Sequence, residues 1–307
     1  MEKDFKTYEE QVKHLKEKNL TIEDEEKVIS ILKKYSYFNI VNGYKHPFKT
    51  KNCNYKNNTR FNDLLLLYSF DEQLRNILMK YILIVELHMK SLLSYEFCNA
   101  YGAEQSEYLN CKNYEYEGAS MQRKVNSFIQ KLNETIDNKK DMPPYLKHQQ
   151  KHDNIPLWAL VKVLTMGSIS KMYSIQKFSI QSKISHEFPE IREDDLAHML
   201  DITTRFRNVC AHNERLFDFV YYKSPIPQNQ VSSYFFKGSH PRKSNLFGMF
   251  IILKYLLDDV EFGKFIDEFS EIYENLFKET HQIQKRQLLK LMGFPENWTE
   301  IKSLSLR

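Results

Sequence analysis

The stretch 61–101 limits the fold of this chain more than any other part of its sequence. Its apolar residues recur every three or four positions, the spacing that gathers them on one face of an α-helix. A stripe this wide is typical of a helix at the centre of a bundle, and we predict a break in it at Ser69–Asp71. The stripe consists of Leu74, Ile77, Leu78, Tyr81, Ile82, Val85, Met89 and Leu92.

Shorter stretches with helical spacing lie on both sides of this segment. The 307 residues include only 8 Gly and 9 Pro, and 27% are charged, which suits a helical protein with few tight turns. No linker or shift in composition marks a boundary, so we predict one all-α domain over residues 1–307. The other main predicted helices are 7–19, 21–35 with Thr21 as N-cap, 119–137, 156–174, 193–211 and 245–257.

Composition limits the location of the protein and its partners. The formal net charge is only +4, so any nucleic-acid contact must be local rather than spread over the whole surface. The four cysteines form no CxxC pair, which fits a reducing compartment and argues against a disulfide framework or a zinc ribbon. The N-terminus lacks the apolar core of a signal peptide, and the apolar runs are too short or too charged to span a bilayer. We therefore expect a cytoplasmic protein without membrane contact.

Near the end of helix 193–211 the sequence reads RNVCAH, which places an arginine and a histidine five residues apart. The Arg207 guanidinium presents a planar set of donors suited to phosphate oxygens, and the His212 imidazole transfers protons near neutral pH. On one ideal helix the two residues are about 140° apart, whereas Asn208 and His212 share a face. Two copies facing each other, or a helix that ends between the two residues, would aim both at one target.

RNVCAH matches the Arg-polar-xxx-His signature of HEPN-superfamily ribonucleases. With three further segments, the longer string RFRNVCAHNERLF resembles the Abi-like abortive-infection proteins of bacteria, of the AbiD/AbiF type. These relatives often carry a second histidine after the first, but this chain has Asn213, so a second imidazole is not part of the predicted site. The further segments are KYSYFNIVNGYKHPF (34–48), FNDLLLLYSFDEQLRNILMKYILIVELHMKS (61–91) and PLWALVKVLTMGSISKMY (156–173).

The resemblance implies a HEPN-like helical bundle with additional N- and C-terminal helices. It also implies a metal-independent endoribonuclease, without cofactor, that acts as a toxin in anti-phage abortive infection. The RNA 2′-hydroxyl would attack the phosphate and leave 2′,3′-cyclic phosphate and 5′-hydroxyl ends, with Arg207, His212 and Asn208 as catalytic residues. Because HEPN enzymes pair two motifs across a dimer, the single motif here implies a homodimer. Some relatives resemble toxins that are accompanied by a small structured RNA, which we expect as the antitoxin.

Three other interpretations remain open. The chain could be a non-catalytic RNA-binding module on the same scaffold, or a defence sensor that binds only proteins. Alternatively, the motif could be structural, with Arg207 paired to a carboxylate and His212 capping the helix. Glu86 is either a plain surface charge or the partner of Arg207. The spacing of His148 and His152 is that of two metal ligands on a helix, but no third ligand is evident, and we predict no metal site.

Two segments, 39–60 and 219–257, contain basic residues and no acids. They are either solvated loops or surfaces that follow an RNA backbone, with Tyr44, Phe48 and Tyr55 available to stack on bases. Under the second interpretation the 219–257 segment is a basic surface near the motif. The predicted RNA-binding residues are Lys45, Lys49, Lys51, Arg60, Arg215, Arg242 and Lys243.

Overall fold

The computed structural model describes residues 4–138, 143–144, 146–147, 154–237, 241 and 243–306. These residues form helices joined by short loops, with no strand among them and only isolated β-bridges. The predicted all-α class is therefore confirmed. In chain order the α-helices are α1 (Tyr8–Glu17), α2 (Glu25–Tyr35), α3 (Phe61–Tyr101), α4 (Gln105–Tyr108), α5 (Ala119–Asp137), α6 (Leu157–Leu160), α7 (Met166–Ser174), α8 (Phe178–Ser185), α9 (Glu193–Ala211), α10 (Gln230–Phe235), α11 (Leu246–Leu256), α12 (Asp259–Glu279) and α13 (Lys285–Met292). A π-helical turn (Phe38–Asn42) and 3₁₀ turns at His46–Phe48, Cys111–Asn113, Val161–Val163 and Trp298–Lys302 complete the set.

Helix α3 is the axis of the bundle and spans about 60 Å at 1.5 Å per residue. It packs against α6, α7, α8, α9 and α12. The break predicted at Ser69–Asp71 is wrong, because both polar residues have a partner one turn later. The Gln73 amide donates to the Ser69 carbonyl, and the Arg75 guanidinium donates to Asp71. The helix can therefore continue through them.

Two helix starts also differ from the prediction. Asp24, rather than Thr21, caps α2 through a bond from the Lys27 N–H, since the Thr21 backbone pairs with residues 59 and 61. The predicted helix 156–174 is divided. Its first part ends in the 3₁₀ turn, and Thr165 then caps α7 by accepting from the Ser168 N–H.

The segment between α2 and α3 is packed against the bundle through its aromatic residues, while residues 50–53 stay exposed. Tyr44, Phe48 and Tyr55 are all buried. Tyr44 stacks on Phe217 with the ring centroids 5.9 Å apart, and its hydroxyl donates to Asp71. The prediction that these three aromatics stack on RNA bases is therefore wrong, because they belong to the hydrophobic core.

Helix α9, here called the motif helix, has the predicted limits, Glu193 and Ala211. Its first turn carries three acidic residues, which interact favourably with the positive end of the helix dipole. It packs against α3, α7, α8 and α11. A Cβ atom on Gly167 would lie 3.4 Å from the Cγ2 of Thr204, so α7 and the motif helix are in van der Waals contact here. The bundle thus holds the motif helix on several sides.

Candidate active site

The motif helix ends at Ala211, directly before His212. His212 is the C-cap, and Asn213 follows it with a φ of 55°, a left-handed conformation that asparagine tolerates. The N–H groups of residues 213 and 214 donate to the carbonyls of residues 210 and 209, at 3.2 Å and 3.0 Å. This pair of bonds is the Schellman motif that commonly ends helices. The chain therefore leaves the helix axis at the histidine, whose side chain is exposed.

Arg207 is half-buried, and its Nε atom is buried without a hydrogen-bond partner among the described residues. Nor does the described part of the chain offer its guanidinium an ion pair. The part of the structural interpretation in which Arg207 pairs with a carboxylate therefore finds no support among the described residues, whereas His212 does occupy the C-cap of the helix. A buried donor without a partner is costly, and a bound anion would satisfy it.

Glu86 is not the partner of Arg207. Its carboxylate accepts from Lys90 at 2.8 Å, and the side chain is buried. Both predictions for this residue, a surface charge and a contact with Arg207, are wrong. Asn208, the third predicted catalytic residue, is half-buried one turn before His212, and its carbonyl accepts the His212 N–H at 2.9 Å.

A buried ion pair on α3 fixes the segment after the helix end, residues 212–217, here called the motif loop. The Asp71 carboxylate is fully buried and accepts the N–H groups of Leu216 at 3.0 Å and Phe217 at 2.7 Å. It also accepts from the Tyr44 hydroxyl at 2.7 Å and from Arg75 at 2.6 Å. Burial raises the pKa of the Asp71 carboxyl, while these donors act in the opposite direction.

Arg75 extends the same network to the loop backbone, because its guanidinium donates to the Glu214 carbonyl at 3.3 Å. At the start of the loop, the Asn213 amide hydrogen-bonds the Tyr68 hydroxyl. Sequence reasoning missed Asp71 and Arg75, although a signal was present. Both lie on the face of α3 that also carries Leu67, Leu74 and Leu78. Charged residues on an apolar face are paired inside a protein.

The charges of this cluster affect the pKa of the Cys210 thiol. Burial raises the pKa of Cys210 to about 12, Asp71 acts in the same direction, and Arg75 and Arg207 oppose it. Since the reactive form of cysteine is the thiolate, Cys210 is a packing residue and not a nucleophile.

An open groove of 920 Å³ lies beside the motif loop and is here called the basic groove. It brings together four of the predicted RNA-binding residues: Lys45, Lys49, Lys51 and Arg215. Asp218 is the acid among its described lining residues. Sequence reasoning missed three other basic side chains that line it, His14, Lys18 and His46. Lys56, one of the basic residues of the predicted segment 39–60, lines it too.

Three predicted RNA-binding residues are not part of this groove. Arg60 lies in a separate pocket and forms an ion pair with Glu23 at 3.5 Å, so its charge is partly balanced. Lys243 is exposed and sits over the Tyr222 ring, 5.1 Å from its centroid. Arg242 lies outside the described residues. The prediction that the 219–257 segment forms a basic surface near the motif therefore remains a prediction.

Lys49 is the most perturbed cation of the basic groove. Burial, with the nearby charges of Lys45 and Lys18, lowers its pKa to about 8. Its Nζ lies 3.4 Å from the centroid of the Tyr55 ring, whose face favours a cation. An anion in the groove would relieve this repulsion.

A search of the described residues for groups of three or more His, Cys, Asp and Glu side chains that could hold a metal finds none. His148 and His152 lie outside the residues that the structure describes. Within the described ranges, no helix is both long and apolar enough to cross a membrane.

Comparisons with known proteins give one positive result. Neither the curated proteins nor the solved structures yield a significant match. A family profile described as Abi-like protein matches residues 30–218, which is more than half of the chain. The match contains both halves of the arrangement described above, the Asp71–Arg75 pair on α3 and the motif loop that it holds. The chain belongs to the Abi-like protein family.

Proposed function

We propose that this protein is a metal-independent endoribonuclease of the HEPN type that acts as a toxin in bacterial abortive infection. The observation that carries the proposal is the Nε of Arg207, which is buried and has no partner among the described residues. Arg207 lies on the helix that ends at the exposed His212. An anion-binding cation next to a proton-transfer group is what cleavage of a phosphodiester requires.

In the proposed reaction the RNA supplies its own nucleophile. His212 accepts the proton of the 2′-hydroxyl as its oxygen attacks the phosphorus. The bond from phosphorus to the 5′-oxygen breaks, and that oxygen takes a proton from the imidazolium of a second His212 in a facing copy. Arg207 stabilises the negative charge that grows on the phosphate oxygens, and Asn208 orients the imidazole or the phosphate. The products are a 2′,3′-cyclic phosphate and a 5′-hydroxyl.

The basic groove beside the motif supports RNA as the substrate, since lysines arranged along a groove favour a polyanion. The same groove favours a second candidate function, a non-catalytic RNA-binding module. The two differ in one measurement: the module would bind RNA and leave it intact.

The proposed function is tested by incubating the purified protein with an unstructured RNA of defined sequence and identifying the product ends. We expect 2′,3′-cyclic phosphate and 5′-hydroxyl ends, because the 2′-oxygen is the nucleophile. The same strand made with 2′-deoxy nucleotides should resist cleavage. Cleavage should persist in EDTA. Cutting of the deoxy strand, or loss of RNA cleavage with the chelator, would refute the mechanism.

The chain carries a single copy of the motif, so we also propose that two copies share the active site. Light scattering should give twice the 36.9 kDa chain mass. An excess of His212→Ala protein added to the wild type should lower its activity, because a mixed dimer lacks one of the two histidines that the reaction uses. A monomer that still cleaves RNA, or mixed dimers with full wild-type activity, would contradict a shared site.

A nuclease that attacks the RNA of its own cell must be restrained, and we propose that a structured RNA bound over the motif provides this restraint. Such an RNA would copurify with the protein and be released at high salt, since its affinity would depend on phosphate contacts.

A further inference from the structure

We propose that the basic groove and a smaller pocket next to it form one continuous track for the unpaired RNA strand that flanks the cleaved phosphate. The substrate class is then RNA with a single-stranded segment long enough to reach from His212 into the groove. This inference rests on the proposed function and specifies how the same site selects its substrate.

The first support is continuity. The smaller pocket has a volume of 440 Å³ and includes Phe38, Gly43 and Glu214 in its lining. It shares Asn42, Arg215 and Asp218 with the basic groove. Glu214 belongs to the motif loop, two residues along the chain from His212, so the pocket borders the loop that carries the proposed catalytic histidine. A strand bound at the motif would pass along this loop to reach the lysines.

Arg215 stands where the two parts meet and is held in place. Its guanidinium donates to the Gly43 carbonyl at 2.6 Å and contacts the Asp218 carboxylate at 2.6 Å. The guanidinium has five N–H donors, so donors remain for a phosphate. An arginine fixed in this way binds a phosphate with little loss of side-chain entropy.

The second support is the type of side chain along the track. Phe38 lines the smaller pocket with 74% of its surface exposed, an unusual position for an aromatic ring. Exposed rings stack on unpaired bases, whereas bases inside a duplex are not available to them. The groove beyond it offers lysines, which act as point charges for phosphates and do not distinguish bases. The combination favours a single strand, with little dependence on its base sequence.

The third support is electrostatic and concerns Lys49. The groups that face its ammonium are Lys18 and His14 of α1, Lys45, Cys53 and the Tyr55 ring. Two of these are cations, so a phosphate beside Lys49 would relieve repulsion and raise its pKa from about 8. Binding would then require proton uptake above pH 8, and RNA affinity would be full below pH 8 and fall as the pH rises.

The experiment measures binding and cleavage with matched variants. The groove variant is Lys18→Gln, Lys49→Gln and Lys51→Gln combined. The control removes the same charge from exposed lysines outside the groove, Lys112→Gln, Lys124→Gln and Lys264→Gln. Dissociation constants are measured for an unstructured 20-nucleotide RNA in the His212→Ala background, so that the strand stays intact. Cleavage rates are measured in the wild-type background on that RNA and on a dinucleotide.

The groove variant should bind the long RNA about tenfold or more weakly, and the slope of log affinity against log salt should become shallower by about 2, since each lost contact contributes about 0.7. Its kcat/KM should fall more on the long RNA than on the dinucleotide, because only the long RNA reaches the lysines. The control should match the parent within about twofold.

Phe38→Ala should weaken binding of the single strand about tenfold and leave binding of a duplex unchanged. At pH 9 the parent should bind about tenfold more weakly than at pH 7, and Lys49→Arg should remove most of this dependence.

Two failures can be told apart. If the wild type cleaves RNA but the groove and control variants bind the long strand equally, the track is wrong and the nuclease remains. If the wild type cleaves neither substrate, the proposed function fails, and with it the role of the track in cleavage.

Discussion

His212→Ala is expected to lower the rate of RNA cleavage by about 10²–10⁴-fold, the usual contribution of a general acid–base group. Arg207→Ala should cost about 10²–10³-fold, because it removes a donor that stabilises charge in the transition state. The fold should survive both changes. The His212 side chain is exposed, and Arg207 has no ion pair within the described residues. Rates are measured on a labelled RNA, with circular dichroism as the check on folding.

Two residues of the same helix provide matched controls. His198 is exposed near the start of the motif helix, and Arg205 is exposed with an ion pair to Asp201 at 3.7 Å. Alanine at either position should change the cleavage rate by less than about twofold, since an exposed ion pair contributes little. Wild type and both controls should arrest growth when expressed, whereas His212→Ala should not. A well-folded His212→Ala protein that cleaves RNA at the wild-type rate would remove the histidine from the mechanism.

Asp71→Ala should lower the free energy of unfolding by about 3–5 kcal/mol, the cost of leaving a buried charge without its partner. Arg75 would lose its carboxylate, and the N–H groups of Leu216 and Phe217 would lose their acceptor. Urea denaturation monitored by circular dichroism measures the change. Asp267→Ala is the control, because its ion pair with Lys302 is largely exposed, and it should cost at most about 1 kcal/mol.

Asp71→Asn separates folding from positioning. The amide has the same shape as the carboxylate, but its NH2 group cannot accept a hydrogen bond and would face the donors that Asp71 binds. The motif loop should therefore lose its fixed position, while the bundle stays folded. We expect cleavage to fall and the affinity for a long RNA to fall less, because Arg215 lies in the loop whereas the lysines of the groove do not. Wild-type stability and cleavage in both Asp71 variants would show that the pair does not hold the loop.

The helical class and the motif helix followed from local pattern, because apolar spacing and acidic residues at a helix start act within a few turns. The wrong break in α3 came from applying the same local rule to Ser69 and Asp71. Their polarity favours a break in isolation, but partners one turn later satisfy them. The aromatics of the segment before α3 failed as base-stacking candidates for a related reason. A basic, asparagine-rich composition does not reveal which rings are buried.

The assembly of the candidate site depends on contacts between distant parts of the chain, which composition and spacing do not report. Lys18 and Arg215 line one groove although almost two hundred positions separate them. Four of the predicted RNA-binding residues, Lys45, Lys49, Lys51 and Arg215, line this groove, whereas Arg60 lies in another pocket beside an acid. The composition of 39–60 indicated that the segment is basic, but not that residues of α1 and of the motif loop lie beside it.

The bonds from the motif loop to Asp71 join residues that are 145 and 146 positions apart. During synthesis, the ribosome therefore completes α3 long before it makes the backbone groups that the carboxylate accepts. A nascent chain of two hundred residues contains the carboxylate but not the histidine or its support. A nascent chain that ends before residue 217 therefore lacks the held motif loop, and with it the proposed nuclease site. Under the proposed function, a restraining RNA is needed only after Leu216 and Phe217 have been made and can bond to Asp71.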